Sequence, residues 1–179
     1  MQLSPLQLVE YSFEQISIKT TEGYVSQDGS NPSLVFTPEK LAISAATGLK
    51  LLEQQKTYSD FGVKLGLQVD PKDPKGAPYS IDIEVQGIFR MFFVTHDGDL
   101  AEERRQRALV NGISMLYGVA REMVSNTTSR SRHGQMLLPA MNFSELAAKT
   151  NPESKGKNNS KAKVAKLTGK PASRRKAIV

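Results

Sequence analysis

Between Phe61 and Phe93 the chain alternates apolar and polar residues almost without interruption. Phe61, Val63, Leu65, Leu67 and Val69 occupy odd positions, and Gly62, Lys64, Gly66 and Gln68 lie between them. Residues 70–78, DPKDPKGAP, carry three prolines and one glycine and can only turn. The alternation resumes through Tyr79, Ile81, Ile83 and Val85, then Gly87, Phe89, Met91 and Phe93, with Asp82, Glu84, Gln86 and Arg90 facing the other way. A period of two over such a length requires a strand with one buried face. Two such strands around a turn-forming connector predict an antiparallel hairpin.

Residues 8–19 form an earlier strand. Tyr11 and Phe13 share one phase and Ile16 and Ile18 the other, so a bulge is expected near Glu14 and Gln15. Residues 21–33 read as a loop. A second extended piece runs from Leu34 through Phe36 to Ile43, and Pro38 within it favours an edge or a crossover. His96 to Asp99 is a further turn.

After residue 100 the period changes. Leu109, Ile113, Leu116, Ala120, Met123 and Val124 follow spacings of three and four, predicting an amphipathic helix over 100–128. Gly112 and Gly118 lie inside it, each at a cost of ~1 kcal/mol relative to Ala. Glu102 and Glu103 suit the helix start, with Arg104, Arg105 and Arg107 on its exposed first turns. Gln135 to Met141 is a short extended apolar piece. Asn142 offers an N-cap, with Glu145 three residues on, for a brief helix from Phe143 to Lys149. Strands first and helices after predict an α+β domain with helices on one side of an antiparallel sheet.

Charge divides the chain. Residues 151–179 hold nine Lys/Arg and one acid, a net +8, against +6 for all 179 residues, which leaves residues 1–150 at −2. The segment has almost no bulky apolar residue and is expected to be a disordered tail behind a single domain over 1–150. Lys161, Lys163, Lys166, Arg174 and Arg175 are its candidate polyanion contacts, since each phosphate neutralised releases a counterion. That charge supports one reading of another class, a nucleic-acid- or ribosome-associated binding protein.

Chemistry is sparse. Cysteine is absent, which excludes disulfides and thiolate catalysis. His96 and His133 lie in polar loops outside any ligand spacing, so no metal site is expected. No glycine-rich phosphate loop occurs, and no cofactor is expected. Asp82 and Glu84 share one strand face, as a solvated or partner-facing surface rather than an acid–base pair. No run is long and apolar enough to span a bilayer, and the N-terminus shows no export signal, so a cytoplasmic location is expected. The apolar stripes exceed what a small body easily covers, which points to a non-enzymatic binding protein. Candidates for an exposed apolar surface are Phe13, Phe36, Tyr79, Phe89, Phe93 and Phe143.

Four motifs resemble those of the SecB-type protein-export chaperones, in matching order across roughly residues 7–148. Phe36-Thr-Pro-Glu39 is similar to the family's aromatic-x-Pro-Glu crossover, and Gln86-Gly-Ile-Phe89 to its Gly-Ile-Phe. Leu116-Tyr-Gly-Val-Ala-Arg-Glu122 resembles its helix signature, with Gly118 where the family has proline. Leu138-Pro-Ala-Met-Asn-Phe143 resembles the segment before its final helix. The resemblance implies a four-stranded antiparallel sheet with one long helix and a short C-terminal helix. It implies a homotetramer built as a dimer of dimers, and ATP-independent holding of non-native preproteins for the motor ATPase of the translocase. It assigns Phe36, Tyr79 and Phe143 to a client groove and Ile81, Ile83 and Val85 to subunit contacts. Asp82 falls where the family docks the motor. Some SecB-like proteins instead serve an antitoxin of a toxin–antitoxin system, and that alternative remains open.

Overall fold

A computed structural model describes residues 3–25, 38–92 and 101–145. Four strands, β1 (Leu6–Thr20), β2 (Leu41–Gln54), β3 (Tyr58–Pro71) and β4 (Tyr79–Phe92), precede one long helix, α1 (Ala101–Thr128). The strands form one antiparallel sheet in the order β1-β4-β3-β2. The expected hairpin is β3–β4, with Phe61 opposite Phe89, Leu65 opposite Val85 and Leu67 opposite Ile83. Because side chains alternate across the pleat, every odd residue of this hairpin reaches one face. That face is the core: Phe61, Val63, Leu65, Leu67, Val69, Tyr79, Ile81, Ile83, Val85, Phe89 and Met91 are all buried.

α1 lies chiefly over β3 and β4. It contributes Ala108, Leu109, Ile113, Leu116, Tyr117, Ala120 and Val124 to the core, at the spacing read from the sequence. Two glycines set how closely it approaches. A Cβ on Gly112 would lie 2.9 Å from Val63 Cγ2, and one on Gly87 would lie 3.1 Å from both Leu116 Cδ2 and the Glu10 carbonyl. The helix therefore meets the sheet where neither has a side chain to interpose. Gly118 has no such reason, since a Cβ there would meet nothing within 4 Å.

β1 shifts register twice, between Leu8 and Glu10 and between Phe13 and Gln15. The second shift is the bulge expected from the change of phase. β2 differs from the sequence reading, which ended this piece at Ile43. It continues to Gln54, preceded by a 3₁₀ turn at Pro38–Lys40, and forms an edge of the sheet.

Beyond the helix the chain turns at Gly134, whose φ of 79° is left-handed. Thr128 anchors the turn: its hydroxyl donates to the Val124 carbonyl at 2.7 Å and accepts the Met136 amide at 2.8 Å. The chain then runs back along α1, burying Met136 and Leu138. Asn142 caps the next helix as expected, accepting the Ser144 amide at 3.0 Å, and Ser144 and Glu145 begin that helix. Phe36, Phe93, the turn at 96–99, the remainder of the short helix and the basic segment 151–179 lie outside the described residues.

Candidate functional site

A helix about 10 Å across cannot cover a four-stranded sheet whose strands lie ~4.8 Å apart. α1 covers the two central strands and leaves the margins of both edge strands uncovered. On the β1 side, Tyr11 and Ile16 stand opposite Gly87 and Ile83, so they share the helix-facing side of the sheet. They are nevertheless 50% and 45% exposed. Phe13 and Ile18, on the same side, are half-buried. On the β2 side, Ile43 and Leu49 are half-buried and Leu51 is 42% exposed, with the small residues Ala45 and Thr47 open between them. Among the described residues, two apolar margins thus flank the helix.

The opposite face of the sheet is polar at its centre. Lys64 lies 2.6 Å from Glu14 and 2.9 Å from Glu84, tying β3 to β1 and β4. Hydrogen bonds from its ammonium to Glu14 and Glu84 hold the Lys64 pKa above its usual range. At one end Arg90 grips Asp60 through two hydrogen bonds of 2.8 Å and stacks 4.1 Å from the centre of the Tyr58 ring. Beside Lys64 the sheet opens into a groove of about 690 Å³ where Gly48 and Gly62 lack side chains, bordered by Leu52, Lys50 and Ile88. Among the described residues no group of three or more acidic or histidine side chains is placed to hold a metal ion.

The paired grip on Asp60 has a pH consequence. The hydrogen bonds from Arg90 hold its carboxyl below the ordinary 3.8, against a smaller opposing effect of burial. A depressed folded-state pKa gives stability that is present above the unfolded pKa and lost as pH falls through the folded one. Asp60→Asn should therefore be less stable than the natural chain at neutral pH. The gap in urea midpoint should narrow as pH is lowered below 3.8. A gap that stays constant down to pH ~2 would mean that the carboxylate charge contributes nothing.

The residues singled out from sequence fall in different places. Tyr79 is buried beneath the sheet end; its hydroxyl donates to the Gly134 carbonyl at 2.9 Å and accepts the His133 amide at 3.2 Å. Desolvation raises its pKa. It fastens the turn after α1 rather than lining an open groove. Phe143 is also buried, edge-on to Tyr117 with ring centres 5.3 Å apart. Burial pushes the Tyr117 hydroxyl up to about 12, and that hydroxyl donates to the Pro139 carbonyl at 2.6 Å. Ile81, Ile83 and Val85 are correctly placed on one strand face, but that face is turned inward. Each is at most 1% exposed within a single chain, so the assignment to subunit contacts is corrected to core. Asp82 faces the polar side and accepts a hydrogen bond from the Gln15 side-chain Nε2 at 2.6 Å. Tyr11, Ile16 and Leu51, with the half-buried Leu49, are surface candidates that the sequence reading does not single out. Their signal was position alone, since an edge strand has a neighbour on one side only.

No protein-family model matches the chain, and no curated protein does. Among solved structures, the SecB-like chaperone Rv1957 of Mycobacterium tuberculosis, in complex with a ChAD peptide from the Rv1956 HigA1 antitoxin, aligns at TM-score 0.51 and 16% identity. The alignment covers 76% of this chain and 89% of that one. A Streptococcus agalactiae protein of unknown function aligns at TM-score 0.48 and 7% identity, over 75% of this chain and 97% of that one. The first of these alignments shows that the chain shares a SecB-like fold.

Proposed function

We propose that this protein is an ATP-independent chaperone that holds non-native polypeptides against the apolar margins beside α1. The observation that carries the reading is the exposure of Tyr11, Ile16 and Leu51, with the half-buried Leu49 beside them, along both sides of the helix. Such strips give apolar contact without reading individual side chains, which suits clients of many sequences. The SecB-like fold adds support. The proposal assigns no catalysis and no cofactor, and places the protein in the cytoplasm. Its general form keeps preproteins export-competent, in a homotetramer that docks the translocase motor near Asp82. A second reading, a chaperone dedicated to an antitoxin, is favoured by the antitoxin peptide bound to the M. tuberculosis neighbour.

The test is suppression of aggregation of a thermally unfolded reporter enzyme at stoichiometric ratio, without nucleotide. The natural chain should suppress it, and Ile16→Ser with Leu51→Ser should not. Burying one such side chain is worth ~1.5–3 kcal/mol, so the double variant should bind at least about tenfold more weakly while melting as the natural chain does. If the natural chain fails to slow aggregation, the general chaperone reading falls. If it fails with the reporter yet protects an antitoxin encoded beside it, the dedicated reading replaces it.

A further inference from the structure

α1 lies on one side of the sheet, and among the described residues no other element packs on the opposite side. The four strands together hold seven carboxylates and four cations, a net −3. The register, with the contact of Lys64 on the bulged Glu14, puts all of them on this opposite face. Residues 1–150 as a whole carry −2, so the acidity of the body is concentrated here. The two cations held by ion pairs do not relieve it. Lys64 lies between two carboxylates, and Arg90 is matched by Asp60. Glu10, Glu53, Asp70 and Asp82 remain, against Lys19 and Lys50.

An apolar floor lies inside this acidic surface. The groove of about 690 Å³ runs over Gly48 and Gly62, where the floor is bare backbone. Gly62 stands opposite Lys50 on one side and Ile88 on the other. Leu52 leans over it, with its Cδ1 3.5 Å from where a Gly62 Cβ would sit. Leu52 is 47% exposed and Ile88 half-buried, so both walls have apolar area left to cover. Glu10 stands opposite Ile88, and Glu53 follows Leu52 in the chain. A groove of this volume takes a few side chains and no more.

The chemistry of the occupant follows. It is short, apolar where it enters the groove and cationic beside it. A polyanion meets repulsion from the carboxylates, and a second copy of the face sets carboxylate against carboxylate. Residues 174–179 of the chain itself, RRKAIV, have the required pattern: three cations, then alanine and two β-branched residues. Residues 146–173 join this segment to Glu145, the last described residue. Fully extended they reach ~90 Å, several times the ~15 Å radius of gyration of a body of this size. Attachment to the same chain also raises the local concentration of the segment to the order of millimolar.

We infer that residues 174–179 dock on the polar face of their own chain, with Ile178 and Val179 in the groove over Gly62 and the three cations against Glu10 and Glu53. The inference is independent of the chaperone reading. Once occupied, the face is closed to other cationic partners, and the basic segment is withdrawn from polyanions.

The experiment uses the full chain, labelled with nitrogen-15. Because the chain has no cysteine, Ser173→Cys carries a single nitroxide beside the docking segment. At about 0.01 M salt, where the Debye length is ~30 Å, the amide signals of Lys50, Gly62 and Ile88 should be lost to paramagnetic broadening. Those of Ala108 and Ile113 in α1 should persist, and reduction of the nitroxide should restore the lost ones. At about 1 M salt, where the Debye length is ~3 Å, the lost signals should return. Glu10→Lys with Leu52→Lys, both exposed positions, should restore them at low salt without changing the melting transition. Should that variant fail to fold, Ile178→Asp with Val179→Asp leaves the sheet untouched and decides in its place. Signals that stay whole at low salt, or that are lost equally on both sides of the sheet, overturn the inference. So does broadening that survives in the folded variants. Broadening of the same amides when nitroxide and nitrogen-15 are on different molecules assigns the segment to a neighbouring chain and overturns it as well.

Discussion

Ile83→Asp should yield a chain that does not fold, rather than folded subunits that fail to associate. Ile83 has no exposure at all and sits opposite Leu67 and Ile16 beneath the helix. The substitution forfeits ~1.5–3 kcal/mol of apolar burial. It also places an unpaired carboxylate in the core, at a further cost of several kcal/mol. Together these rival the ~5–15 kcal/mol by which a domain of this size is stable. Loss of the cooperative urea transition and of near-ultraviolet circular dichroism is expected. The neighbouring Asp82→Ala, on the polar face, should cost no more than about 1 kcal/mol. A folded but dissociated Ile83→Asp protein would return Ile83 to a subunit contact.

Two glycines of the same helix should respond with opposite signs. Gly112→Val forces side-chain atoms into space already held by Val63 Cγ2, 2.9 Å from where even its Cβ would sit. The helix must lift from the sheet, and overpacking of this kind costs ~1–3 kcal/mol or more. Gly118→Ala meets nothing within 4 Å and should gain up to about 1 kcal/mol from helix propensity alone. Urea midpoints of the two variants should therefore move in opposite directions from the natural chain. Two shifts of the same sign would show that the helix does not rest on the sheet at Gly112.

The contrast shows what a linear pattern can and cannot carry. The β3–β4 hairpin was legible because both strands are central and one face of each is covered along its whole length. The helix was legible because its buried stripe is unbroken from Ala108 to Val124. β2 beyond Ile43 was not legible. Its LAISAATGLKLLEQ holds four leucines and three alanines, and an edge strand only partly covered on one face has little alternation to display. The first bulge of β1 escaped for a different reason. The Leu6–Leu8 phase that it breaks begins before residue 8, where that strand was taken to start. The candidate site suffered most. Alternation identifies a face but not which object covers it; the family resemblance implies subunit contacts for Ile81, Ile83 and Val85, and within one chain they are already buried on the helix-facing side. Tyr79 and Phe143 belong to a client groove only by the family resemblance. Their hydroxyl and ring partners, in the turn after α1 and on Tyr117, lie too far off in sequence to be seen.

The strand order has a consequence for how the chain reaches this state. β2, β3 and β4 are joined in sequence and pair as successive neighbours, so they assemble through short loops. Among the described residues β1 pairs with β4 alone, and Leu6 meets Met91 across most of the domain. Contacts of such separation form late, because loop closure must precede any gain from pairing. A chain emerging from the ribosome presents β1 first, yet its partner appears last. For the several seconds that translation of the intervening residues takes, at about 5–20 residues per second, the strand bearing Tyr11, Phe13, Ile16 and Ile18 waits without its neighbour. A protein proposed to shelter the unfinished segments of others thus begins its own life with one of them exposed.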